Sequence, residues 1–140
     1  MPVDSLPVDY LFTLKLGVGA KPRMIKNGPQ GTRIVAGVDS GTFEGPSLKG
    51  TVVPPGGDWV TSRANRVAQL DVRLLLVTDD DATILMQYKG IADFAKGQAR
   101  SAPQFETGDE RYAWLNDVQG VGLGQLAPDG GVSYDVYGLR

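Results

Sequence analysis

The chain has 140 residues, a formal net charge of −2, and neither cysteine nor histidine. Without those two residue types it can form no disulfide, thiolate nucleophile, cysteine-based zinc site or Ser-His-Asp triad, although a carboxylate-only Mg²⁺ or Ca²⁺ site stays open. The near balance of 14 basic and 16 acidic residues is not typical of a nucleic-acid binder, and the length suits one domain over residues 1–140.

Short β-rich runs, separated by turns rich in glycine, proline and aspartate, follow one another along the chain. The predicted strands lie at residues 10–18, 32–38, 42–44, 48–53, 58–62, 67–77, 82–89, 104–107, 112–118, 120–124 and 132–139. Residues 91–98 are the best helix candidate, but Gly90 and Gly97 bracket them closely, so the choice between a helical turn and none stays open. Roughly eight to ten strands at this spacing, with at most one short helix, predict an all-β fold, and polar residues at interior positions favour a single antiparallel β-barrel.

The clearest hairpin joins residues 67–77 to residues 82–89. In its first strand, the alternate positions from Leu70 onward are all apolar, whereas the other face begins with Asp71 and Arg73 and then becomes apolar. A strand that is apolar on both faces towards its end is typical of burial on both sides. We therefore expect Asp71 and Arg73 in a partly enclosed cavity, where they pair with each other or with a ligand. A structural ion pair and two solvated charges are the alternatives.

Aromatic and amide side chains are candidates for binding a substrate. Tyr88 lies on the return strand of the hairpin, where its hydroxyl could reach a pocket. Tyr112, Trp114 and Asn116 alternate along a predicted strand and share one face, which would form a wall for a flat organic ligand. Packing roles in the core or at an interface are equally compatible with all four residues.

Two turns bracketed by glycines contain further candidates. Glu44 lies within residues 41–46, and Asp58 with Trp59 follows two glycines. Loops that flank a barrel mouth often carry function, so we count Glu44 as a catalytic candidate and the other two as substrate-binding candidates. Acids beside glycines also serve as turn or cap residues, which is the alternative.

Taken together, these segments resemble the domain-of-unknown-function 3237 family, small β-barrel proteins of the UPF0311 type. The resemblance covers nearly the whole chain, in order. The motifs that carry it are Gly41-Thr42-Phe43-Glu44-Gly45-Pro46, Leu48 with Gly50, Gly57-Asp58-Trp59, Leu70-Asp71-Val72-Arg73, Thr78-Asp79-Asp80, Tyr88 with Gly90, Phe105-Glu106-Thr107 and Tyr112-Ala113-Trp114-Leu115-Asn116. The resemblance implies a small β-barrel, often a homo-oligomer, with no established cofactor. It also implies a link, in some members, to cofactor-free C–O ring closure, in which a hydroxyl adds across an activated double bond.

Residue pattern and resemblance together predict a cofactor-independent isomerase or lyase that acts on a small unsaturated or aromatic oxygenated metabolite. Asp71 or Glu44 is the expected general base. Arg73 is expected to stabilise a developing enolate oxygen, with Tyr88 or Tyr112 hydrogen-bonded to the same atom.

A non-catalytic barrel that binds a small lipophilic ligand is the main alternative, and a structural or interaction protein with a filled interior is the third. We expect a small-molecule substrate, a homo-oligomer, no nucleic acid, no membrane and no cofactor. No segment approaches the roughly 20 apolar residues that a spanning helix needs, and residues 1–5 lack the pattern of a signal peptide, so we expect a cytoplasmic location.

Overall fold

The computed structural model describes residues 1–17, 19 and 21–140. Its elements are β1 (Val8–Leu16), β2 (Arg23–Gly28), β3 (Gly31–Gly37), β4 (Gly41–Glu44), β5 (Lys49–Ser62), β6 (Val67–Thr78), β7 (Thr83–Asp93), β8 (Gln98–Ser101), β9 (Gln104–Glu106), a 3₁₀ helix (Glu110–Asp117), β10 (Gly120–Leu126) and β11 (Val132–Leu139). The predicted end of the first strand, Val18, lies outside the described residues. Within those residues no helix is both long and apolar enough to cross a membrane.

Eight of the strands close into an antiparallel barrel. The hydrogen-bonded order β5-β4-β1-β11-β10-β8-β7-β6 returns to β5 through the β5–β6 pairing. The predicted hairpin is confirmed as β6 and β7, which pair from Val67 with Asp93 to Val77 with Thr83. The expectation of an all-β fold built on one antiparallel barrel is likewise confirmed.

One half of the barrel is filled by side chains. Phe12 packs edge to face against Phe43 and Phe105, with ring centroids 5.6 and 5.9 Å apart. Leu74 and Leu76 of β6 are fully buried and add to the same core. These large apolar groups supply most of the burial that holds the barrel together.

The other half is shaped by the long strand β5. Its first part pairs with β4, and its last six residues pair instead with β3, which forms a hairpin with β2. On its other edge, the pairing with β6 is interrupted between Val53 and Gly57. After this bulge the inward alternation resumes, so Asp58 and Val60 share the interior side of the sheet with Leu70 and Val72 of β6.

The structure decides the open choice at residues 91–98, which form no helix, because β7 continues to Asp93 and a turn leads into β8. The strand expected at residues 112–118 is wrong, because Glu110–Asp117 is a 3₁₀ helix. The Asp109 carboxylate caps its start by accepting from the Arg111 amide, and Leu115 is fully buried.

Candidate functional site

A cavity of about 280 Å³ opens at the end of the barrel where β5 and β6 extend past β4. Strands β1, β3, β5, β6, β7, β10 and β11 all contribute to its walls. Most lining side chains are apolar, and its ionisable groups among the described residues are Asp58, Tyr88 and Tyr134. A mainly apolar cleft with a few converging polar groups is the usual form of a small-molecule site.

The Asp58 carboxylate is the charged group of this cavity. Its Oδ1 accepts a hydrogen bond from the Asp71 backbone amide, at 3.3 Å. Burial raises the pKa of Asp58 from its usual value of 3.8 to about 6; the amide of Asp71 lowers it in part, and the negative charge of the Asp71 side chain raises it further. Asp58 can therefore exchange a proton near neutral pH.

Tyr88 and Tyr134 form an aromatic pair beside this carboxylate. Their rings meet edge to face with centroids 5.4 Å apart, and both side chains are buried. Burial raises the pKa of Tyr88 well above 10, and the charges of Tyr134 and Asp58 raise it further. Burial likewise raises the pKa of Tyr134 to about 12. Both phenols therefore stay protonated at neutral pH and are able to donate a hydrogen bond.

Glycines of β10 make room for the Tyr134 ring. Gly124 pairs directly with Tyr134 across β10 and β11. A Cβ on Gly124 would lie 2.6 Å from Tyr134 Cε1, and one on Gly122 would lie 3.3 Å from Tyr134 Cδ1. The glycine-rich strand thus holds the aromatic ring over its own backbone and fixes one wall of the cavity.

Comparison with known proteins places the chain in a family. Residues 7–139 match the family model described as protein of unknown function (DUF3237). The chain belongs to the DUF3237 family.

Proteins similar to this DUF3237 chain come from several organisms. UPF0311 protein blr7842 of Bradyrhizobium diazoefficiens is 28% identical over 127 residues, covering 79% of this chain and 82% of the relative. A β-barrel-like protein from Acinetobacter baumannii has a crystal structure that is 29% identical, covers 99% of both chains and superposes with a TM-score of 0.88. A structure described as an enzyme from Penicillium herquei has a TM-score of 0.77 over 100% of this chain and 98% of that one, and at 22% identity it shows a shared fold only.

Asp71 and Arg73 do not lie in the cavity of this DUF3237 protein. Both side chains are exposed, because the buried face of β6 is the one that carries Leu70 and Val72. The expectation of a shared enclosed cavity is therefore wrong for this pair. The link between Asp71 and the cavity is its backbone amide, which donates a hydrogen bond to Asp58.

Asp71 instead lines a shallow groove on the outer surface of the barrel, together with Trp59. The Trp59 side chain is 41% exposed and points outward because it follows the inward Asp58 on β5. Arg33 and Lys89 complete the charged part of this groove. Of the residues predicted from the sequence, the cavity therefore brings together only Asp58 and Tyr88.

Three other predicted site residues lie at the opposite end of the barrel. Glu44 is exposed at the end of β4. Tyr112 donates a hydrogen bond to the Asp80 carboxylate in the β6–β7 turn, at 2.8 Å, and Asn116 bonds the backbone of Thr107. These contacts fasten the 3₁₀ helix to the barrel.

Trp114 also lies on the 3₁₀ helix and is 41% exposed. The shared face expected for Tyr112, Trp114 and Asn116 is wrong, because a 3₁₀ helix repeats every three residues instead of every two. The expected substrate-binding role of these helix residues stays a prediction, because the helix lies at the end of the barrel opposite the cavity.

Tyr134 is the cavity residue that sequence reasoning missed. Alternation in residues 132–139 places Tyr134 and Val136 on one face, which is the signal that could have found it. A tyrosine that alternates with a buried valine, opposite a strand with a glycine at every second position, indicates an inward ring.

The described residues hold no cluster of three or more Asp or Glu side chains that could bind a metal ion.

Proposed function

We propose that this protein is a cofactor-independent isomerase or lyase that moves a proton on a small unsaturated or aromatic oxygenated molecule bound in the cavity. The observation that carries the proposal is a desolvated carboxylate, Asp58, beside two protonated phenols, Tyr88 and Tyr134, in an apolar pocket. Titratable groups with shifted pKa values in a cleft are typical of acid–base catalysis.

Asp58 acts as the general base in this proposal. It removes a proton from an acidic C–H or from a hydroxyl, and it returns that proton to a different carbon of the same molecule. If the proton comes from a hydroxyl, the oxygen adds to the far carbon of a conjugated double bond, and Asp58 then protonates the carbon beside the carbonyl. A base with a pKa of about 6 is ionised at neutral pH and still readily releases the proton.

Tyr88 and Tyr134 stabilise the intermediate. Either step places negative charge on the carbonyl oxygen as an enolate. Two phenolic donors held in a dry site lower the energy of that charge, and removal of one such donor typically costs about 10²-fold in rate. This role replaces the one expected for Arg73, which lies outside the barrel.

Exchange of the methyl hydrogens of acetophenone in D₂O tests the proposal without knowledge of the natural substrate. Loss of the methyl signal in proton NMR measures abstraction of a proton next to a carbonyl. We expect the protein to accelerate the loss, and Asp58→Asn to reduce the acceleration by about 10²-fold or more, because an amide cannot accept the proton. Asp81→Asn, in an exposed turn at the opposite end of the barrel, should keep the full rate.

Two results would contradict the proposal. An Asp58→Asn protein that folds and retains the full rate would remove Asp58 from the reaction. If Asp71→Asn lost as much activity as Asp58→Asn, the outer groove would become the better candidate for the reaction.

A barrel that binds a small lipophilic ligand without changing it is the second candidate function. The observation that favours it is the mainly apolar lining of the cavity. Binding of acetophenone with no acceleration of exchange, in wild type and Asp58→Asn alike, would support this alternative.

A further inference from the structure

The described residues that line the cavity include an acidic side chain but no basic one. Asp58 is the acid among the described residues that line it, and none of those residues is lysine or arginine. The cations that neighbour lining residues in sequence all have exposed side chains, and one of them, Lys89, lines the groove on the outer surface; they are Lys15, Lys21, Arg23, Arg73 and Lys89. An anion inside the cavity would therefore have no cationic partner among the described lining residues.

This charge distribution works against carboxylates and phosphates. A charged group that leaves water without a partner pays a large desolvation penalty. Once Asp58 is ionised, its own charge repels a second anion in the same low-dielectric space. An uncharged ligand has no charge to desolvate and is not repelled by Asp58.

The polar groups of the cavity also select the ligand. Tyr88 and Tyr134 present hydroxyl donors, whereas ionised Asp58 offers acceptors only. A carbonyl oxygen matches the donors, and a hydroxyl or an acidic C–H matches the acceptor. The remaining walls, including Leu70, Val72 and Phe94, are apolar.

We infer that the cavity takes uncharged, largely apolar carbonyl or hydroxyl compounds and excludes carboxylates and phosphates of the same shape. The inference rests on the proposed function for the location of the site, since both concern the same cavity. It adds the substrate class, which the proposed chemistry alone does not fix.

Acetophenone and benzoate form a matched pair of probes. They have the same number of non-hydrogen atoms and nearly the same shape, but only benzoate is charged at neutral pH. An NMR titration of isotope-labelled protein at pH 8 gives the affinity of each probe and shows which residues respond. We expect acetophenone to bind at least ten-fold more tightly, with shifts at cavity residues such as Tyr88 and Val132.

Each outcome decides the inference. Equal or tighter binding of benzoate in the cavity would overturn it, and so would binding of neither probe at millimolar concentration. Preferential binding of acetophenone with no methyl exchange would leave the inference standing and remove the proposed function. Exchange catalysed by a protein that prefers benzoate would do the reverse.

A cation placed in the cavity provides a second test. Leu126 lines the cavity and is only partly buried, so Leu126→Lys can keep its ammonium group near the mouth. We expect it to raise the affinity for benzoate at least ten-fold. Leu123→Lys lies on the same strand but is exposed outside, and it should leave both affinities unchanged. An unchanged affinity for benzoate in folded Leu126→Lys would show that charge does not set the selectivity.

Discussion

At the scale of single residues, Asp58 combines a role in the site with a cost to the fold. Its carboxyl is withdrawn from water in an apolar cavity, and its hydrogen bond to the Asp71 amide, at 3.3 Å, compensates only in part. Ionisation of a desolvated carboxyl costs free energy in the folded chain, so Asp58 lowers the stability of the fold at neutral pH. The same property gives it a pKa near the working pH of a general base.

Asp58→Asn should therefore stabilise the protein at neutral pH. The pKa of Asp58 is about 6 in the folded state and 3.8 as its ordinary value. Between these values the folded state holds more protons than the unfolded state, so the stability of the wild type falls as the pH rises from about 4 to about 6. Asparagine has no ionisation to oppose. We expect its free energy of unfolding to exceed that of the wild type by about 2–3 kcal/mol at pH 7.5.

Urea unfolding at pH 4 and at pH 7.5 measures this difference. The gain should nearly vanish at pH 4, where the wild-type carboxyl is mostly protonated in the folded state. Asp81→Asn, in an exposed turn, serves as the control for a general charge effect and should show no such pH dependence. A gain of equal size at both pH values would mean that desolvation of Asp58 is not its cause.

At the scale of elements, the sequence predicts where the strands lie more reliably than which face of each strand points into the barrel. The β6–β7 hairpin follows directly from its alternation and its acidic turn. The inward face does not, because both faces of β6 become apolar towards Thr78. Leu75 and Val77 are half-buried on the outward face that also carries Asp71 and Arg73. Only closure of the barrel decides which apolar face is enclosed.

The segment from Tyr112 to Asn116 shows a second limit. Its aromatic residues favour a strand locally. Its contacts across the molecule favour a 3₁₀ helix instead, with Leu115 in the core and the Tyr112 hydroxyl on Asp80. Such partners are distant in sequence, so a local pattern cannot reveal them.

Gly124→Ala tests whether β10 sets the position of Tyr134. The added Cβ would lie 2.6 Å from Cε1 of a buried ring, so the ring must move. We expect a loss of about 1–3 kcal/mol in the free energy of unfolding, together with slower acetophenone exchange, because the Tyr134 hydroxyl leaves its place. Gly108→Ala is the matched control, since its Cβ would meet nothing within 4 Å. Equal effects of both substitutions, measured by thermal unfolding and NMR, would show that close packing on Gly124 is not needed.

At the scale of the whole molecule, the barrel divides its interior between packing and binding. One half is filled by side chains, and the 3₁₀ helix lies at that end; the filling side chains are Phe12, Phe43, Phe105, Leu74 and Leu76. The other half holds the cavity, between the extended β5–β6 pair and the β2–β3 hairpin. Truncation of a side chain in the filled half should therefore lower stability without changing ligand binding.

Leu76→Ala should lower stability without changing acetophenone affinity, and Val132→Phe should lower the affinity with little change in stability. Leu76 is fully buried in the filled half, so its truncation should cost about 2–5 kcal/mol in the free energy of unfolding. Acetophenone affinity should stay within about two-fold of wild type, because ΔΔG values at sites without shared partners are nearly independent.

Val132 is partly buried and lines the cavity. A phenylalanine there enters open space, so the stability should change by less than about 1.5 kcal/mol, while acetophenone affinity falls at least ten-fold because the ring occupies the binding volume. Urea unfolding and NMR titration of both variants measure the two quantities. Loss of acetophenone binding in a folded Leu76→Ala protein would show that the filled half also holds the cavity in shape, and the two halves would then act as one unit.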